Sequence, residues 1–171
     1  KFTVTRRVIQ NTVSHYNYYF NANNKLNAVI DQAKYGHKDD YSKLLSFYPY
    51  SLDVTAQQKT ELDSVIYKCT AGILLHDLRT DWVDNFYFLI GKSYFLRKDF
   101  DSATMVFQFI NYNLFPRKRK NDDESKVIGT NSSPGMGLTI ADKEKRNFIQ
   151  RAFTLPPSRN DALIWLVRTY T

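Results

Sequence analysis

The sequence predicts an all-α chain, an α-solenoid of antiparallel helix pairs with one long surface loop. Three observations predict it. Residues 82–116 (WVDNFYFLIGKSYFLRKDFDSATMVFQFINYNLFP) read as two short helices folded together, with small and aromatic residues at regular steps. The spacing has an earlier echo: Tyr19 precedes Ala28 by the same nine positions that separate Tyr94 from Ala103. Aromatics make up 15% of the chain against only 6 Gly and 5 Pro, a composition suited to helices that meet through large rings.

The central stretch fits a tetratricopeptide repeat, a helix–turn–helix of about 34 residues carrying L-G-x2-Y, then A-x3-F, then P. Here the landmarks are Ile90-Gly91, Tyr94, Ala103, Phe107 and Pro116. Gly91 and Ala103 are the small residues that let the two helices approach. Tyr94 and Phe107 are expected to fill the wedge between them. Arg97-Lys98 places positive charge at the end of the first helix, and Asp99 or Asp101 is expected to cap the second.

The elements follow in order. Residues 1–13 are basic and β-tolerant and read as an extended leader or tether. The helical repeat domain is expected over 14–171. Residues 14–36 read as a degenerate repeat hairpin, with Asn21 to Asn24 as its turn and Gly36 as its C-terminal cap. Asp39 to Ser46 offers one helical turn, closed by Tyr48-Pro49. Thr55-x-x-Gln58 is a capping-box pattern that predicts a long helix over 55–79. Its apolar face is Leu62, Val65, Ile66, Cys69, Ile73, Leu74 and Leu78, with Gly72 allowing close contact. Residues 117–139 are polar and aperiodic and read as a flexible loop. Further helices are expected over 141–171, the last opened by Ser158-x-x-Asp161 and carrying Leu163, Leu166, Val167 and Tyr170. The repeat array is expected to continue past Thr171.

Catalytic chemistry has no motif behind it. The three histidines are scattered, and Cys69 and His76 sit two turns apart on one helix, too far to hydrogen-bond. The Gly-rich run 129–137 lacks G-K-[ST], so it is not a P-loop. One cysteine excludes an intrachain disulfide and a cysteine-built zinc site. No catalytic residue, metal or cofactor is expected. The net charge of +7 is spread through helices of mixed sign, apart from Arg117 to Lys120, which Asp122 to Glu124 follow. No run of about 18 apolar residues is present to span a membrane.

Four stretches, HYNYYFNANNKLNAVI, YKCTAGILLHDLRTDWVDN, LIGKSYFLRKDFDSATMVFQFINY and PPSRNDALIWLVRTY, together resemble the N-terminal part of the PorW/SprE family. These are tetratricopeptide-repeat lipoproteins of the type IX secretion and gliding machinery. The resemblance implies a periplasmic scaffold, held at the outer membrane by a lipid on a cysteine upstream of Lys1. Its implied partners are the outer-membrane translocon and other periplasmic secretion components, with no small-molecule substrate. The leader would then be the tether.

Within the repeat, the template leaves Asp84, Asn85, Phe88, Lys92 and Phe95 outside the core of the helix pair. These five are the candidate protein-binding residues, and charge reversal at Lys92 or Asp84 is expected to weaken partner binding while helicity stays intact. The competing reading is a helical-repeat RNA-binding protein that uses its basic, tyrosine-rich surface.

Overall fold

The structure, a computed structural model, describes residues 3–76, 78, 80–114, 126–128, 138–140, 155 and 158–171. Helices packed against one another form nearly all of it, and the all-α expectation holds at that level. A small two-stranded antiparallel ribbon is added: β1, Lys126–Ile128, pairs with β2, Leu138–Ile140.

The chain begins with α1, Val4–Val13, where an extended leader was expected. Thr3 caps it, its hydroxyl oxygen accepting from the Arg6 N–H. Tertiary contacts decide the matter against local composition. Arg7 donates to Asp81 Oδ1 at 2.5 Å and Asn11 Nδ2 donates to Asp81 Oδ2 at 2.8 Å, some 70 residues along the chain. The helix then widens into a π-helical segment, Ser14–Tyr19, in which the Phe20 N–H reaches back to His15 O. It continues without a break as α2, Phe20–Tyr35.

The expected hairpin over 14–36 is therefore a single helical run. The asparagines at 21–24 do not make a turn. Ala22, Leu26, Val29 and Ala33 recur at helical spacing and are all buried. That burial outweighs the weak helix preference of asparagine. Asn21 turns its amide back onto Asn17 O at 2.6 Å.

The long helix expected over 55–79 is two. Ser51 caps α3, Leu52–Gln57, and α4 runs from Lys59 to Leu75. Gln58 breaks the run with φ −88° and ψ 39°. Thr55 is not a cap: its buried hydroxyl donates to Leu96 O at 2.8 Å, tying α3 to the end of the first helix of the central hairpin. Leu62, Val65 and Cys69 are buried as expected, while Leu74 and Leu78 are exposed.

The central hairpin is present as α5, Val83–Leu96, and α6, Phe100–Phe109, which passes into a π-helical turn, Ile110–Leu114. Asp99 caps α6, accepting from the Ser102 N–H. Two seams share one device. A Cβ placed on Gly72 of α4 would lie 2.7 Å from Phe86 Cζ of α5. A Cβ placed on Gly91 of α5 would lie 2.5 Å from Phe107 Cε1 of α6. In each case the glycine seats a buried ring of the following helix.

The α5–α6 turn closes through Lys98 N to Phe95 O at 2.9 Å and Asp99 N to Tyr94 O at 3.0 Å. This is the Schellman pattern. Lys98 occupies its left-handed position at φ 65°, where glycine is favoured. The exposed Lys98–Asp53 pair offsets little of that strain. Lys98→Gly is expected to raise stability by up to about 1 kcal/mol in urea unfolding, the strain relieved in the turn exceeding glycine's entropy cost.

The last helix, α7, Arg159–Tyr170, packs on α6 and α5. Ala162, Leu163 and Leu166 are its buried side; Val167 and Tyr170, which share the expected repeat positions with Leu163 and Leu166, are exposed. Of the loop expected over 117–139, residues 126–128 and 138–139 belong to the ribbon. In the register Val127 pairs with Thr139 and Ile128 with Leu138, residue types that favour strands. Residues 117–125 and 129–137, and the helix expected over 141–153, lie outside the described residues.

Candidate protein-binding face

Asp84, Asn85, Phe88, Lys92 and Phe95 form one stripe along α5, since steps of about four and seven residues return to the same side of a helix. The structure keeps them together. It also lays α7 along them, which changes what each can do. Asn85 and Phe95 are buried and belong to the packed interior. The template left them outside the helix pair; Trp165 of α7 packs on Phe95, and Asn85 bonds to Asp84.

Asp84 is also committed internally. Its Oδ2 accepts from the Ser158 N–H at 2.9 Å and from the Ser158 hydroxyl at 3.0 Å. Its Oδ1 accepts from Asn85 Nδ2 at 3.1 Å. Burial pushes the Asp84 carboxyl above the usual aspartate range, and the Ser158 donors pull it back in part. Charge reversal at Asp84 would thus disturb the docking of α7, contrary to the expectation that it leaves the helices intact. Ser158 stands at the start of α7 as expected, with its hydroxyl given to Asp84 rather than to its own helix.

Phe88 and Lys92 remain partly open, and four aromatics join them. The Trp165 ring of α7 meets Phe88 and Phe95 edge-on at 6.4 Å and 5.3 Å between centroids. Lys92 Nζ lies 5.6 Å from the Phe88 centroid and 5.2 Å from that of Trp165. The Arg168 guanidinium lies 3.4 Å from the Tyr48 centroid, 4.6 Å from Phe95 and 4.7 Å from Trp165. Arg168 Nη2 donates to the Tyr50 hydroxyl at 3.0 Å. The result is an aromatic cleft holding two cations.

The electrostatics of the cleft are unusual. Several cations elsewhere meet carboxylates: Arg97 with Asp63, Lys25 with Glu61, Arg7 with Asp81. Among the described residues neither Lys92 nor Arg168 has an ion pair, and Arg168 Nη1 is buried without a hydrogen-bond partner. Burial lowers the Lys92 ammonium from its ordinary value, Asp161 opposes this, and Arg168 adds to it.

Sequence reasoning named the α5 side of this cleft and missed Tyr48, Tyr50, Trp165 and Arg168. The aromatic run Phe47-Tyr48-Pro49-Tyr50 and the helical spacing of Trp165 and Arg168 were the available signals. Neither says which helix it will face.

The remaining candidates do not converge. Cys69 is buried and its thiol is pushed up to about 12 by burial, which makes it unreactive. His76 places Nδ1 2.8 Å from Gly72 O and its ring edge-on to Tyr18, while His15 stacks on Trp82 at 4.3 Å. Among the described residues no cluster of His, Cys, Asp and Glu could hold a metal ion, and no helix is long and apolar enough to cross a membrane. No family profile, curated protein or solved structure matches the chain.

Proposed function

We propose that this chain is a non-enzymatic protein-binding scaffold, built as a tetratricopeptide-like solenoid, that serves the type IX secretion apparatus at the periplasmic side of the outer membrane. The observation that carries the scaffold reading is the serial packing. Helices α2, α4, α5, α6 and α7 each lie against the next, and α7 also lies against α5. Contacts between α5 and α7 advance together, from Asp84–Ser158 to Phe95–Trp165, so the two helices run the same way. First helices of successive repeats stand in that relation and line a concave surface. The secretion role rests on the resemblance of the four stretches named above.

Protein is favoured over RNA as the partner. In the cleft, Tyr48 and Trp165, rings that would stack on bases, already carry the chain's own cations. The test is co-purification of a tagged chain from cells that possess the apparatus. Lys92→Glu is expected to deplete the translocon partners on the order of tenfold, with the helical circular-dichroism signal unchanged. Undiminished recovery of those partners would rule out this face. Their absence from the wild-type sample would remove the secretion role.

A further inference from the structure

We propose that the Lys92–Arg168 cleft is the docking point for an acidic peptide segment, whose side-chain or terminal carboxylates lie against the two cations. This rests on the protein-binding reading above and names the chemistry of the partner.

The argument begins with cost. Withdrawing a cation from water without a counter-ion is unfavourable, and proteins normally pair such groups. Here two cations share one indole ring, at 5.2 Å and 4.7 Å from its centroid, and repel each other. The aromatic faces repay part of the lost hydration. They supply no negative charge. Asp161, exposed and on the same face of α7 as Trp165 and Arg168, is the carboxylate whose field reaches Lys92, yet among the described residues it forms no ion pair with it.

The donors left over define the ligand. Arg168 spends Nη2 on the Tyr50 hydroxyl and retains Nη1. Lys92 offers an ammonium with three donors and, among the described residues, no ion pair. A carboxylate placed at Lys92 would take a charge-assisted hydrogen bond from its ammonium, in a site already partly dry where such bonds are strong, and would lie in the field of the enclosed Arg168 guanidinium. The ring faces are occupied, so flat bases have little to stack on, whereas carboxylates need only the nitrogen donors. An extended peptide also suits a groove between parallel helices.

The probe is fluorescein-labelled hexaglutamate, titrated into the full chain at low ionic strength. Binding is expected to saturate, to weaken steeply with added salt, and to alter Trp165 fluorescence. The indole signal is read on the wild-type chain, so it does not depend on a variant folding; Trp165→Phe is expected to abolish it and leave Trp82 alone. Lys92→Met, which keeps the aliphatic stem, is expected to weaken binding on the order of tenfold. Lys92→Arg is expected to retain it. Lys25→Met, at a cation already paired with Glu61, is expected to bind as the wild type does.

Three results would overturn the proposal: no binding of hexaglutamate at low salt, equal losses in Lys25→Met and Lys92→Met, or tighter binding of oligouridylate through the same two cations. The first, with translocon partners still co-purifying, would overturn the acidic-peptide assignment and leave the scaffold standing. Peptide binding without co-purification would support the cleft and remove the secretion role.

Discussion

Phe107→Ala is expected to lower stability by about 3–5 kcal/mol, the largest effect of any single truncation at the α5–α6 seam. The ring is fully buried and sits where a Cβ of Gly91 would be, 2.5 Å from Cε1 and 2.9 Å from Cζ. Gly91→Ala attacks the same contact from the other side. In an open helix it would stabilise by about 1 kcal/mol, because alanine is the better helix former. Here the methyl collides with a fully buried ring, and overpacking of this kind costs about 1–3 kcal/mol. The sign should therefore be reversed, with a net loss. The double variant provides the decisive measurement. With Phe107 truncated, the Gly91 methyl enters the space the ring has left, so the two losses should sum to more than the double variant shows. Urea unfolding of the four proteins gives the coupling. Strict additivity would mean that Gly91 and Phe107 do not form the seam.

This seam was legible because the repeat template encodes it as spacing within one hairpin. A small residue and a ring at fixed separations say that two helices meet, and Gly72 with Phe86 follows the same logic one helix earlier. What failed was of two kinds. The asparagines at 21–24 looked like a turn because local preference was weighed above the buried stripe Ala22, Leu26, Val29 and Ala33. Burial of four apolar side chains outweighs several tenths of a kcal/mol of helix preference per asparagine. The leader was misread for a different reason. Arg7 and Asn11 find Asp81 across 70 residues or more, and no local pattern encodes that meeting. The same blindness affected the candidate face. Periodicity placed Asp84, Asn85, Phe88, Lys92 and Phe95 on one stripe correctly, but it could not foresee that α7 would park on that stripe and bring Trp165 and Arg168 with it. Half of the proposed site therefore came from sequence spacing and half from long-range packing.

Asp84→Ala is expected to release the start of α7 and to cost several kcal/mol, since two donors of buried Ser158 and the amide of Asn85 lose their acceptor. Each buried donor left unsatisfied costs about 1–3 kcal/mol. Asp84→Asn keeps one oxygen in place and removes the charge, so its loss should be smaller. Its pH dependence separates hydrogen bonding from desolvation. Burial raises the carboxyl of wild-type Asp84 above its ordinary value of 3.8. The folded chain thus holds that proton in a range where the unfolded chain has released it. Stability must then fall as pH rises from about 4 through the raised native value, and level off above it. Asp84→Asn has no proton to lose at this site. The stability of the variant relative to wild type should therefore improve across that window and stay constant beyond it. Ser158→Ala works in the opposite direction: by removing a donor that favours the charged form, it should raise the native carboxyl further and extend the window upward. Urea unfolding at a series of pH values reads all three. A difference between wild type and Asp84→Asn that is flat across the window would show that the Asp84 carboxyl has the same affinity for its proton in the folded and unfolded chains, and that its bonds to Ser158 fully offset its burial.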